Sequence, residues 1–164
     1  WDAARVEAAY EEAIAGYQRH YLAINGERST LFDGVLEGLQ AMRDLGLRLV
    51  CVTNKPVAFT LPLLEQKGLA PYFEQVFGGD SFARKKPDPQ VYEQVLATLA
   101  LPASACLAFE DSDNGLRAAT AAGLQTLVTP TVHTAGHRFD GALQVLTERG
   151  MQTVSSAEVS VRPC

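Results

Sequence analysis

Phe109-Glu110-Asp111-Ser112-Asp113-Asn114-Gly115 is the stretch on which the reading of this chain turns. Before it, Cys106-Leu107-Ala108-Phe109 is short, apolar and ended by charge, the pattern of a buried strand. After it, Gly115-Leu116-Arg117-Ala118-Ala119-Thr120-Ala121-Ala122-Gly123 has the pattern of a helix with a glycine stop. The acidic pair Glu110-Asp111 therefore falls where a strand ends and a helix begins. In open α/β sheets ligands collect at that edge. Adjacent carboxylates are costly there unless a cation neutralises them, and oxygen-only ligands favour a hard ion such as Mg²⁺. The competing reading is a solvated acidic turn that caps a helix.

The segments around this stretch alternate in the same way. Val6, Ala9, Tyr10, Ala13, Ile14, Tyr17, Tyr21 and Leu22 recur at three- and four-residue spacing, predicting a helix over 3–23 that Asn25-Gly26 ends. A polar connector through Thr30 leads to a helix carrying Val35, Leu36, Leu39 and Met42, stopped by Gly46. Leu47 to Val52 predicts a strand with Thr53-Asn54-Lys55 at its carboxyl end. Pro56 suits the first turn of the next helix, which carries Leu61, Leu63 and Leu64 and stops at Gly68. Gln75 to Gly78 predicts a short strand, followed by a polar loop to Pro87. Asp88 is then an N-cap with Pro89 at the first helical position, ahead of Val91, Val95, Leu96 and Leu99. Gln125 to Thr129 predicts another strand, Arg138 to Arg149 a final helix, and the tail from Gln152 an edge strand. Strands alternating with helices through short connections give an α/β fold, a Rossmann-like parallel sheet with helices on both faces.

Composition sets the bounds. The 164 residues suffice for one substantial core, and 47% hydrophobic with 20% charged residues is ordinary for a globular chain. A net charge of -5 argues against nucleic acid or an anionic membrane surface as partner. No apolar run reaches the length of a membrane span, and Trp1-Asp2-Ala3-Ala4-Arg5 is not a signal peptide. Cys51 and Cys106 fall in the predicted strands and Cys164 is terminal; an odd count without metal-ligand spacing fits inert thiols in the cytoplasm. His20, His133 and His137 have no carboxylate or cysteine at metal-binding spacing.

Three strand ends carry complementary chemistry. The Thr53 hydroxyl and the backbone N–H of Asn54 suit an anionic oxygen, helped by the N-terminus of the helix that begins near Pro56. Lys86 supplies a point charge for a phosphate or carboxylate. Glu110 and Asp111 suit Mg²⁺, which would bridge to the same phosphate. Taken singly, Thr53 reads as a cap, Lys86 as a surface charge and Asp111 as a turn residue; their order on these elements favours the functional reading. Ser112 reads equally as an orienting group or a helix cap. Asp113 and Lys55 read as solvent-facing residues with ligand contact as the alternative, and Arg117 as a surface residue.

In these residues the chain resembles the haloacid dehalogenase superfamily of aspartyl-nucleophile phosphatases, in the phosphoglycolate phosphatase and β-phosphoglucomutase-like subgroup. Val52-Thr53-Asn54-Lys55-Pro56 matches the second family motif, Lys85-Lys86-Pro87-Asp88-Pro89 the third, and Phe109 to Gly115 the fourth. Gly78-Gly79-Asp80 and Gly34-Val35-Leu36-Glu37-Gly38-Leu39 also resemble phosphoglycolate phosphatases. The similarity covers roughly residues 30 to 130. One departure is Glu110-Asp111-Ser112, where phosphoglycolate phosphatases usually carry Gly-Asp-Ser; the form here is that of sugar phosphatases and phosphoglucomutases. Val128-Thr129-Pro130 and Phe139-Asp140-Gly141-Ala142 are similar to the sugar-phosphatase branch as well.

The resemblance implies Mg²⁺-dependent hydrolysis of a small phosphomonoester, 2-phosphoglycolate favoured, through an aspartyl-phosphate. It places Asp111 on the metal with Glu110 supporting, Thr53 and Asn54 on a non-bridging oxygen, and Lys86 between nucleophile and phosphate. The alternatives are a sugar-phosphate phosphatase or β-phosphoglucomutase, a phosphate-binding remnant without turnover, and an α/β interaction domain. The family's first motif, Asp-x-Asp-Gly-Thr, has no match. Leu31-Phe32-Asp33-Gly34-Val35-Leu36 imitates its second half, but Leu31 stands at the nucleophile's position and cannot attack phosphorus. The expectation is therefore a fragment: residues 1–30 the end of a helical cap, and 31–164 an α/β core lacking its first strand. That strand would lie between those ending at Thr53 and Glu110. Its loss would leave backbone groups unpaired at about 1–3 kcal/mol each.

Overall fold

The computed structural model describes residues 2–147 and 150–152. The chain divides into two units, the first ending at Gly78 and the second beginning at Gly79.

In the first unit, α1 spans Ala3–Ile24, and Asp2 Oδ1 caps it by accepting the Ala4 N–H at 3.1 Å. α2 is Val35–Asp44, entered through Gly34 in the left-handed region, φ 81°. β1 is Val50–Val52 and pairs in parallel with β2, Gln75–Phe77. α3, Val57–Gln66, connects them and packs on β2. The strand predicted from Leu47 is shorter than expected. Only Leu49 continues the pairing, its carbonyl accepting the Glu74 N–H, while Arg48 turns out to an exposed ion pair with Glu74.

In the second unit, α4 is Gln90–Leu99, and Asp88 Oδ1 accepts the Gln90 N–H at 2.9 Å. The helix starts one residue later than predicted, so the N-cap position falls on Pro89 and Asp88 stands just ahead of it. β3, Leu107–Glu110, pairs in parallel with β4, Gln125–Val128, and β4 in parallel with β5, Gln144–Thr147. β6, Gly150–Gln152, closes the sheet antiparallel to β5. α5, Asp113–Ala121, packs on β3 and β4. Leu116, Ala118 and Ala119 of α5 are buried, as are Thr126 and Val128 of β4. This is the α/β architecture with parallel pairing that the alternation predicts.

Three expectations are corrected. The helix predicted over Arg138–Arg149 is absent through Thr147: Gly141 takes φ 89° and β5 occupies the segment instead, and positions 148–149 lie outside the described residues. Helical propensity is weak here beside the ladder β4 offers, which pairs Val128 with Val145 and buries Val145 and Ala142 against Leu116 and Val128. The edge strand predicted from Gln152 begins earlier, as β6; everything beyond Gln152 lies outside the described residues. The strand predicted as buried over Cys106–Phe109 is half-exposed. Ala108 and Glu110 face α5, whereas Leu107 and Phe109, on the opposite face, are 47% and 51% exposed. Cys106 and Cys51 are both only partly buried, and Cys106 precedes β3 rather than lying in it.

Candidate functional site

Two clusters carry the residues singled out above, one in each unit. In the first, Thr53 continues β1, donating its N–H to the Phe77 carbonyl at 2.9 Å. The chain then bends, and Thr53 Oγ1 accepts the Lys55 N–H at 3.1 Å. That bend presents the Thr53 hydroxyl and an exposed Asn54 ahead of α3. Gly78, at the end of β2, makes room for it. A Cβ there would stand 2.6 Å from the Val57 nitrogen and 2.7 Å from the Lys55 carbonyl oxygen, inside contact distance. Any larger residue at 78 would push the loop away from the strand.

Lys55 is not the solvent-facing residue its type suggests. Its ammonium is half-buried and reaches back to α1, donating to the Tyr21 hydroxyl at 2.9 Å and to Asn25 Oδ1 at 3.0 Å. The Nζ also lies 5.2 Å from the centre of the Tyr21 ring. Asn25 is oriented for this by its own amide, which donates to the Phe59 carbonyl at 2.7 Å. Tyr21 is set by an edge contact with Phe59.

In the second cluster, Lys86 Nζ meets Glu110 Oε1 at 2.5 Å, and the two side chains are only 9% and 6% exposed. Tyr92, buried on α4, donates its hydroxyl to the same Glu110 oxygen. Glu110 Oε2 stands over Gly115, where any Cβ would overlap it. The carboxylate thus rests on the first turn of α5, at the positive end of that helix. Ser112 caps the helix, accepting the Gly115 N–H at 3.3 Å, which decides for the cap between its two readings. Asp113 belongs to the helix face, paired with exposed Arg117 at 3.7 Å.

A buried charge pair holds only when its remaining polar valences are met, and here the Tyr92 hydroxyl and the positive end of α5 contribute to that. Tyr92 escaped the sequence reading. Its one signal was a hydroxyl on the buried stripe of α4, between Val91 and Val95.

Asp111 is different: its carboxylate is exposed and has no ion-pair partner among the described residues. Glu110 and Asp111 are thus neighbours in sequence with divided tasks, one committed to protein groups and one open. The donors are all hard oxygens. A carboxylate or two, completed by waters and a phosphate, is what Mg²⁺ accepts, so the chemistry of this donor set fits that ion. Among the described residues no three His, Cys, Asp or Glu side chains gather into a further metal centre. Asp33 lies in an exposed turn ahead of α2 rather than at a strand end, as expected of an imitation of the first motif. No described helix is long and apolar enough to cross a membrane.

Comparison with known proteins agrees with these motifs. The model of the family described as haloacid dehalogenase-like hydrolase matches residues 1–123. A phosphoglycolate phosphatase of Thiobacillus denitrificans is 39% identical over 135 residues, covering 82% of this chain and 60% of that protein. A plasmid phosphoglycolate phosphatase of Cupriavidus necator is 43% identical over 122 residues, covering 74% and 52%. The structure of CbbY from Rhodobacter sphaeroides in complex with phosphate is similar with a TM-score of 0.72 and 31% identity, covering 78% of this chain and 59% of that one. The same figures hold for a variant of CbbY in complex with xylulose-(1,5)bisphosphate. The chain spans between 52% and 60% of the length of the curated relatives above. With its second, third and fourth motifs in order and the family model matched over 1–123, the chain belongs to the haloacid dehalogenase-like hydrolases.

Proposed function

We propose that this chain is the phosphate- and metal-binding part of a cytoplasmic, Mg²⁺-dependent phosphatase acting on a small phosphorylated metabolite, 2-phosphoglycolate first. The observation that carries the reading is the buried Lys86–Glu110 pair beside the exposed Asp111. Burying a lysine against a carboxylate carries a desolvation cost, and a fixed cation is what offsets the repulsion between a phosphate and an anionic nucleophile.

In this reading the Thr53 hydroxyl and the Asn54 N–H hold a non-bridging phosphate oxygen, aided by the start of α3. Lys86, oriented by Glu110 and Tyr92, offsets the repulsion between the nucleophile and the phosphate. Mg²⁺, when bound at Asp111 with Glu110 supporting, supplies charge neutralisation of the transferring group. The nucleophile is an aspartate that comes from outside these 164 residues and forms an aspartyl-phosphate that water then hydrolyses. Residues 1–30 are then the end of a helical cap, and 31–164 a core whose first strand also comes from elsewhere. Two features support this: the absence of any Asp-x-Asp-Gly-Thr match, and β1 and β3 each pairing on one side only among the described residues. An odd number of cysteines without metal-ligand spacing supports the cytoplasmic setting.

A sugar phosphatase or β-phosphoglucomutase is the second reading, favoured by Glu110-Asp111-Ser112 and by the likeness to CbbY. Phosphate release by the product of the complete coding sequence separates the two. A kcat/KM for 2-phosphoglycolate above that for xylulose-1,5-bisphosphate and β-glucose 1-phosphate supports the first reading. The reverse order, or conversion of β-glucose 1-phosphate to glucose 6-phosphate, supports the second, and neither release nor conversion of any of them overturns both.

A further inference from the structure

We propose that Lys55 is a specificity-determining residue that binds a second anionic group on the substrate, a carboxylate or a second phosphate. The inference rests on the phosphatase reading and narrows its substrate to phosphomonoesters carrying such a group.

Lys55 follows directly on Thr53-Asn54, and its own N–H closes the bend by donating to Thr53 Oγ1. Its ammonium is therefore fixed on the same loop that offers the Thr53 hydroxyl. That ammonium is half-buried, yet both of its hydrogen-bond partners, the Tyr21 hydroxyl and Asn25 Oδ1, are neutral. No carboxylate pairs with it among the described residues, although the exposed arginines Arg48, Arg84, Arg117 and Arg138 each pair with one. A primary ammonium has three N–H donors, so two neutral acceptors position the group while leaving one donor and the whole charge for a ligand. Partial removal of a cation from water without a counter-ion is unfavourable, and an arriving anion relieves that cost. The surroundings are built rather than incidental: Asn25 is locked by the Phe59 carbonyl, and Tyr21 by the Phe59 ring.

A surface lysine acting only as a tether between α1 and the loop would give the same two hydrogen bonds but no preference among substrates. The test therefore measures preference. Phosphate release by the complete protein would be measured on 2-phosphoglycolate, xylulose-1,5-bisphosphate and ethyl phosphate, the last having no second anionic group. The wild type is expected to favour at least one of the first two over ethyl phosphate by about tenfold or more in kcat/KM, as one charge-assisted hydrogen bond implies. Whichever is favoured identifies the carboxylate or the second phosphate as the group bound. Lys55→Met should bring that ratio toward one, chiefly through KM. Lys55→Gln keeps an amide donor for Tyr21 and Asn25, so it decides the matter if the methionine variant does not fold. Lys55→Arg should retain part of the preference.

A wild type indifferent to the second anion would overturn the inference while leaving the phosphatase reading intact. Proportional losses on all three substrates would overturn it in favour of a tether. A wild type that releases phosphate from none of them would overturn the phosphatase reading and this inference together.

Discussion

The two units differ in how their helices are held. In the second, α5 lies against β3 and β4 with Leu116 1% exposed and Ala118 and Ala119 fully buried, and a charge pair is enclosed beside it. In the first, α1 and α2 bury no residue fully, and Val6, Tyr10, Tyr17 and Leu22 of α1 stay open to solvent. The first unit compensates with directed polar contacts: Lys55 to Tyr21 and Asn25, and Lys67 to the Gly26 and Ser29 carbonyls at 2.8 and 2.6 Å. Apolar burial is non-directional and scales with area; a hydrogen bond gives less energy but fixes position. The second unit is thus organised for stability around Glu110, and the first for holding a loop in place.

Substitutions can break that comparison. The largest effect is expected at Glu110→Ala, which strands Lys86 and Tyr92 in a buried setting and should cost about 3–5 kcal/mol in urea unfolding. A loss below about 1 kcal/mol would mean that the cluster is not closed to water. Leu116→Ala removes the most buried large side chain of α5 and should cost about 2–5 kcal/mol by the same assay. Tyr92→Phe keeps the ring and removes only the donor to Glu110, so about 1–3 kcal/mol is expected. Asp111→Asn sharpens the contrast with its neighbour. Mg²⁺ affinity by titration calorimetry should fall about tenfold or more while the unfolding midpoint barely moves; unchanged affinity would remove Asp111 from the metal. Tyr10→Ala, on the open face of α1, should shift stability by no more than about 0.5 kcal/mol. A larger loss would show that α1 is held by more than its polar contacts.

What the sequence made legible follows from range. α1 is recognisable because its apolar spacing repeats along its 22 residues and Asn25-Gly26 ends it, both local signals. The Lys86 and Glu110 motifs are legible because residue type and place at a strand end carry their chemistry. Tyr92 was hidden because nothing within α4 distinguishes a packing tyrosine from one whose hydroxyl meets a carboxylate 18 residues away. Lys55 was hidden for the same reason, its partners lying 30 and 34 residues back. The segment from Arg138 reads as a helix because its local composition allows one, while the deciding interaction is the ladder to β4. β3 reads as buried from its apolar run alone. In that strand Ala108 and Glu110 turn to α5, and the face carrying Leu107 and Phe109 meets no comparable cover among the described residues.

The central claim is that these residues hold the phosphate and the metal while the nucleophile lies elsewhere. Its most direct test is phosphate release from 2-phosphoglycolate, with Mg²⁺ and with EDTA, by the 164-residue chain and by the product of the complete coding sequence side by side. The account predicts no turnover by the 164 residues and Mg²⁺-dependent turnover, abolished by EDTA, by the complete product. Mg²⁺-dependent turnover by the 164-residue chain alone would contradict it, placing the nucleophile on Asp33 or another carboxylate within these residues.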